Sequence, residues 1–161
     1  MKSAVLTLLS CFVLSLSACE KLPVPPEQEQ QKQPEDIGQQ NGNEDNQSMT
    51  IKITAGGKTF TADIEDSETG KAFLAKLPLS LDMSELNGNE KYCYGVDLPR
   101  SDKYYDSIAA GDLMLYSGNC VVLFYGSAGG YSYTRIGKLT STDGLKEALG
   151  TANISITFAK Q

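Results

Sequence analysis

The stretch Thr50-Ile51-Lys52-Ile53-Thr54-Ala55-Gly56-Gly57-Lys58-Thr59-Phe60-Thr61-Ala62-Asp63-Ile64 reads as a β-hairpin, and the fold is decided there. Ile51 and Ile53 alternate with polar residues, the period-2 pattern of a strand with one buried face. Gly56-Gly57 is a two-residue turn that tolerates positive φ at both positions. Phe60, Ala62 and Ile64 then resume the alternation. A two-residue loop pairs residues whose numbers sum to 113, so Ile53 faces Phe60 and Ile51 faces Ala62. All four fall on one side, as one buried face requires.

Downstream, residues 67–76 predict a short helix capped by Asp66 or Ser67. Its apolar stripe is Ala72, Phe73, Ala75 and Leu77, with the Lys76 stem at the edge. Pro78 stops it. Leu77, Leu79, Leu81 and Met83 alternate as one side of a strand. Asn87-Gly88-Asn89 signals a turn, and 91–94 a short strand. Residues 95–110, with Pro99, Ser101, Asp102 and Asp106, read as an irregular loop. A second hairpin spans 112–125 around Ser117-Gly118-Asn119. Leu113-Met114-Leu115-Tyr116 and Val121-Val122-Leu123-Phe124-Tyr125 are apolar on both faces, which predicts a pair covered on each side. After a loop over 126–130, alternation along 131–139 sets Tyr131, Tyr133 and Arg135 on one face. Asp143 is expected to cap a helix ending at Leu149, with Gly150 following it. Ile154, Ile156 and Phe158 form the last strand. The result is a mainly β domain over 49–161 with about eight strands and two short helices. Closing a barrel removes the edges such a sheet would leave unpaired.

Upstream the material changes. Lys2 precedes a 13-residue apolar core, Ala4 to Leu16, within the range of a signal-peptide core and short of the about 20 residues a membrane span needs. Leu16-Ser17-Ala18-Cys19 then resembles the lipobox of bacterial lipoproteins. That resemblance implies removal of residues 1–18 and acylation of Cys19. The other reading is an ordinary secretion signal cleaved after Ala18. Residues 20–48 carry seven acidic side chains and two lysines, a net charge of 2 − 7 = −5. Gln, Glu, Pro and Asn dominate, so the segment buries too little apolar surface to offset its ordering entropy. Residues 19–48 therefore read as a lipidated cysteine and a disordered acidic tether, with a root-mean-square reach of roughly 30 Å. The expected location is extracytoplasmic, on the cell membrane or outer membrane, with the lipid as the membrane partner.

Several phrases of the head resemble the bacterial cyclophilin-like domain family. They are Leu77-Pro78-Leu79-Ser80-Leu81-Asp82-Met83, Leu86-Asn87-Gly88-Asn89-Glu90-Lys91-Tyr92, Gly111-Asp112-Leu113-Met114-Leu115-Tyr116, Val122-Leu123-Phe124-Tyr125 and Tyr133-Thr134-Arg135-Ile136-Gly137. The resemblance implies a small closed barrel with two helices. It carries no activity by itself. Cyclophilins that isomerise prolyl bonds use an arginine with Phe, Gln and His around a proline pocket. This chain has no histidine, and neither Arg100 nor Arg135 lies in a matching pattern, so no catalytic residue transfers.

Composition narrows the rest. From Met49 onward there are 11 basic and 13 acidic residues with no basic cluster, which argues against nucleic acid. With no histidine and no C-x-x-C pair, neither a metal nor a cofactor is expected. Cys93 and Cys120 are the cysteines of the head. An exported compartment permits a disulfide between them; two separate buried thiols are the other reading. The Tyr131, Tyr133 and Arg135 face, with Tyr92, is the candidate binding site, since an arginine beside aromatic rings can hold an anion or a carbonyl. Plain packing, with Arg135 paired to an acidic neighbour, is the alternative. Glu90-Lys91-Tyr92 either lines a pocket mouth or makes a solvated salt bridge. Asp112 reads as a turn residue. The expected role is a tethered binding module for a small ligand, peptide or partner protein, with prolyl isomerisation as the enzymatic alternative.

Overall fold

The opening hairpin forms in the register read above. β1 (Thr50–Ala55) and β2 (Lys58–Ile64) pair with Ile53 opposite Phe60 and Ile51 opposite Ala62. The computed structural model describes residues 49–161. The leader expected over 1–18 and the lipidated Cys19 with its tether over 19–48 lie outside the described residues. Gly56 is required for two reasons: its φ is +55°, and a Cβ there would sit 2.1 Å from the Ala148 carbonyl oxygen.

Seven further strands follow: β3 (Leu79–Leu86), β4 (Glu90–Tyr94), β5 (Lys103–Tyr105), β6 (Asp112–Tyr116), β7 (Cys120–Phe124), β8 (Tyr131–Leu139) and β9 (Ile154–Lys160). Eight of the nine run in the order β2-β1-β9-β3-β4-β7-β6-β8, and β8 pairs back onto β2 to close the barrel. Every pairing is antiparallel. The interior is filled by alternate side chains from these strands. Ile51, Ile53, Met83, Leu113, Leu115, Leu123, Ile136, Ile156 and Phe158 are wholly buried there. Each such side chain contributes roughly 1.5–3 kcal/mol relative to exposure.

Helix α1 (Glu68–Ala75) and helix α2 (Leu145–Leu149) cap opposite ends, since α1 follows the end of β2 and α2 the end of β8. Ser67 is the N-cap of α1: its Oγ accepts the Gly70 N–H at 3.1 Å. The buried face of α1 is Thr69, Gly70, Phe73 and Leu74; of the expected stripe Phe73 and Leu77 are buried, Ala72 is half-buried and Ala75 is exposed. The reason is the i, i+3, i+4 spacing around Phe73, whose ring meets Phe158 edge-on at 5.5 Å. Asp143 does not cap α2. Its own N–H is held by Ser141 Oγ at 3.2 Å, and Gly144 with positive φ occupies the cap position without a side-chain bond.

The stretch 95–110 is more ordered than an irregular loop. Val96 and Leu98 enter the barrel core, and the Val96 and Leu98 N–H groups donate to the Asn119 and Gly118 carbonyls at 3.1 and 3.0 Å. Thr134 Oγ1 accepts the Ser101 N–H at 2.8 Å and donates to Asp102 at 2.7 Å. Asp102 also pairs with Arg100 at 2.5 Å. These ties hold β5 against the outer end of β8, with Lys103 opposite Tyr133 and Tyr105 opposite Tyr131. Three residues with two aromatics and no alternation give little strand signal, which is why β5 does not show in the sequence.

The double-sided apolar character of β6 and β7 has the expected meaning. Leu113, Leu115, Val121 and Leu123 face the barrel interior. Met114, Cys120, Val122 and Phe124 face outward into a second cluster with Ile108. Partly buried Tyr92, Tyr105, Tyr116 and Tyr133 pack against that cluster. The outer face of β4-β7-β6-β8 is therefore a second, aromatic layer.

Candidate functional site

The pleat of β4 sends Glu90, Tyr92 and Tyr94 to the outer face and Lys91 and Cys93 to the inner one. On the outer face the strand partners line up in rows. Tyr92 lies opposite Val122, and Tyr94 opposite Cys120; Val122 and Cys120 lie opposite Met114 and Tyr116. Beyond them, β8 contributes Tyr133 and Tyr131. These side chains form the floor and one wall of a cavity of about 430 Å³. The β3–β4 turn, with Leu86, Asn87 and Asn89, and the loops carrying Ile108, Ala128 and Gly129 complete its rim. That volume lies in the range of small-molecule sites.

The rim is tied down. Ile108 and Ala128 form an isolated bridge, with N–H···O bonds of 2.7 and 3.0 Å in the two directions. Gly129 allows this approach, because a Cβ there would lie 2.4 Å from the Asp106 carbonyl oxygen. Asn89 donates its side-chain amide to the Ser127 carbonyl at 3.0 Å, and its own carbonyl accepts the Tyr125 and Gly126 N–H groups at 2.8 and 3.0 Å.

The aromatic walls are continuous. Tyr133 meets Phe124 edge-on at 5.7 Å, Tyr131 at 5.7 Å and Tyr116 at 5.8 Å. Tyr92 and Tyr94 are T-shaped at 5.9 Å. Tyr94 and Tyr131 are exposed at the mouth.

Glu90 supplies the charge of this cup. It is 8% exposed, and its carboxylate has no hydrogen bond or ion pair among the described residues. Burial, then the Glu85 carboxylate behind it, hold the Glu90 carboxyl above its ordinary value. Burial and the Glu90 charge in turn push the Tyr133 hydroxyl up to about 12. Burial likewise pushes the Cys120 thiol up to about 11, which makes it a poor nucleophile. Among the described residues no lysine or arginine lines the cup.

Lys91, next in sequence, points the other way. It is wholly buried, paired with Glu85, and donates to the Ala152 carbonyl at 2.7 Å. Tyr125 Oη donates to the same Glu85 carboxylate at 2.7 Å. A solvated Glu90–Lys91 pair is therefore not what forms, because adjacent strand residues face opposite sides.

The site residues expected from sequence divide in two. Tyr92, Tyr131 and Tyr133 line the cup together. Arg135 does not. A bulge between β6 and β8 at Leu113/Met114 puts both Arg135 and Lys138 on the outer face. They bracket the buried Asp112 carboxylate at 3.6 and 3.2 Å. The Tyr105 ring covers the guanidinium at 5.1 Å. Arg135 borders a separate depression with Glu65, Ser67 and Lys103. Asp112 is a turn residue as read, accepting the Ala109 N–H at 2.9 Å, and it also anchors this ion cluster.

Cys93 and Cys120 are free thiols. Cys93 lies opposite Val121 and Cys120 opposite Tyr94, so their Cβ atoms point to opposite faces of the sheet. A bridge between them is excluded by that geometry. Among the described residues no group of three or more Cys, Asp or Glu side chains is placed to hold a metal.

Comparison with known proteins agrees with this architecture. The model of the cyclophilin-like family matches residues 53–159, more than half of the chain, and the chain belongs to that family. No curated protein matches it by sequence. Among solved structures it is similar to McbB in complex with tryptophan, at 16% identity and a TM-score of 0.56, covering 69% of this chain and 44% of McbB. It is also similar to the hypothetical protein AF2241 from Archaeoglobus fulgidus, at 19% identity and a TM-score of 0.55, covering 74% of this chain and 99% of that one. The chain thus spans less than half of McbB, and at these identities the likeness is one of fold.

Proposed function

We propose that this chain is a membrane-tethered extracytoplasmic binding module whose outer-face cup takes a small ligand. The observation that carries the reading is the cup itself. It is a cavity of about 430 Å³ walled by tyrosines, with one buried, unpartnered carboxylate on its floor. Broad aromatic walls with few polar groups are the usual make-up of a small-molecule site. The lipobox-like Leu16-Ser17-Ala18-Cys19 and the acidic stretch after it support the tether. A solved protein of like fold was obtained with tryptophan, so aromatic amino acids belong among the first compounds tried.

Two experiments test the two halves. Labelling cells with a clickable palmitate analogue is expected to tag the wild-type chain and not Cys19→Ser; equal labelling would remove the anchor. Calorimetric screening of small aromatic compounds is expected to give binding that Tyr131→Ala weakens by tenfold or more. Tyr131 is half exposed, so its truncation tests contact without disturbing the core. Binding unaffected by Tyr131→Ala would remove the cup as the site.

A further inference from the structure

We infer that the cup selects a small organic cation, a free amine or quaternary ammonium carried on an apolar stem. This rests on the reading of the cup as a ligand site and assigns the ligand's charge and class.

Glu90 is 8% exposed, lines the cup, and has no hydrogen-bond or ion-pair partner among the described residues. Its neighbour Lys91 is fully buried, on the inner face, and bonded to the Glu85 carboxylate and the Ala152 carbonyl. A carboxylate so placed is largely shed of water without gaining a partner from the fold, so an incoming cation gains more from it than from a fully solvated one. Among the described residues nothing of positive charge lines the cavity, and a cationic ligand would supply the complement.

The walls point to the same charge. Tyr92 and Tyr94 on one side and Tyr116, Tyr131 and Tyr133 on the other present ring faces and edges around the floor. The electron-rich faces of such rings attract a cation, more so when it is shed of water. An anion would meet Glu90 and the ring faces with no lysine or arginine among the described lining residues to hold it. A neutral aromatic would gain the wall contacts and forgo the charge.

The depth of the site favours a free molecule over a protein lysine. Glu90 is only 8% exposed, flanked in the strand rows by Leu86 and the fully buried Phe124. A compact stem reaches it without carrying a peptide backbone past Tyr94 and Tyr131.

The test is calorimetric titration of the full chain in non-ionic detergent at pH 7 with four probes. These are 2-phenylethylammonium, neutral 2-phenylethanol, 3-phenylpropionate, and Nα-acetyl-lysinamide. The expected result is at least tenfold tighter binding of the ammonium than of the alcohol, and weaker binding still of the acid. Glu90→Gln, which keeps the shape and removes the charge, is expected to erase the preference of the ammonium over the alcohol. Equal binding of alcohol and ammonium to the wild type would overturn the charge assignment, and so would a preference that survives in Glu90→Gln. If that happens while Tyr131→Ala weakens every probe, the cup stands as a site and only its ligand class falls. Tighter binding of the lysinamide than of the free amine would overturn the free-molecule assignment. Failure of all four to bind at millimolar concentration would overturn both readings.

Discussion

Glu90 and Lys91 are consecutive residues of one short strand, both charged and both buried, and they have opposite fates. Lys91 points into the barrel, where the Glu85 carboxylate, the Ala152 carbonyl and the Tyr125 ring close around it. Glu90 points outward onto an aromatic floor and is met by no donor among the described residues. The inner face is complete as it stands. The outer face is complete in shape and incomplete in charge. A charge the fold satisfies is a structural part; a charge the fold leaves without a partner is the one on which the proposed ligand reading rests.

The largest effect that distinguishes the faces is on stability. Lys91→Ala removes the inner cation and strands the partly buried Glu85 carboxylate. The expected loss is about 3–5 kcal/mol, read as a fall in the urea midpoint. Lys91→Met, which fills the volume, is expected to lose less. A Lys91→Ala loss below about 1 kcal/mol would mean the inner network is not what holds that end of the barrel.

Arg135→Ala comes next. It leaves Asp112, which is 2% exposed, with Lys138 as its one remaining cation. A loss of about 1–2 kcal/mol is expected in the same unfolding assay. Ligand affinity at the cup is expected to be unchanged, because Arg135 lines the separate depression and not the cup. Lost affinity with unchanged melting would return Arg135 to the site.

Glu90→Gln has a smaller effect on stability and the opposite sign. Removing an unpaired buried charge is expected to raise Tm by about 2–4 °C, the shift given by roughly 0.5–1 kcal/mol in a domain of this size. The pH dependence shows the same contrast. The Glu90 carboxyl is raised in the folded protein. Its contribution is therefore present below the ordinary glutamate pKa and lost as pH rises through the folded value. For Glu85, burial pushes the carboxyl up. Hydrogen bonds from Lys91, Tyr125 and the Gly88 N–H outweigh that and bring it down. Its contribution is present above the ordinary value and lost as pH falls through the folded one. The titratable groups around Glu90 are Glu85 on β3, Tyr92 and Tyr94 on its own strand, Cys120 on β7, Tyr116 on β6 and Tyr131 and Tyr133 on β8. Of these, Cys120 at about 11 and Tyr133 at about 12 stay neutral across that window. Between pH 4 and 7 the Glu90→Gln variant is expected to gain on the wild type as pH rises. A gap that stays constant would show that Glu90 is not held in an unfavourable charged state.

The smallest effect is none at all. With Cys93 and Cys120 on opposite faces, dithiothreitol is expected to leave Tm unchanged. A drop would mean a disulfide forms by moving the strand.

These contrasts explain which parts of the molecule could be read in advance. The hairpin at Gly56-Gly57 was legible down to its register, since a two-residue loop leaves no freedom once one face must be buried. The double-sided burial of β6 and β7 was visible as unbroken apolar runs. Tyr131 and Tyr133 of the cup were found by strand alternation, and Tyr92 by its place just after the Asn87-Gly88-Asn89 turn. Three things were not legible. β5 is too short to show a period. The bulge that brings Arg135 and Lys138 to one buried aspartate is a local break in alternation with no composition signal. The opposite fates of Glu90 and Lys91 depend on where β4 begins. Starting it at Glu90 instead of Lys91 puts the carboxylate in line with Tyr92 and Tyr94, and that alternation was the available signal for the floor of the site.

The most direct measurement is an amide chemical-shift map of the ¹⁵N-labelled chain titrated with 2-phenylethylammonium. Shifts concentrated on Glu90 to Tyr94, Cys120 to Phe124 and Tyr131 to Tyr133 are expected, with the Gly56-Gly57 turn and helix α2 unmoved. Shifts centred on Lys103, Arg135 and Ser67, or on the barrel ends, would contradict the assignment of the cup as the place where this protein meets its ligand.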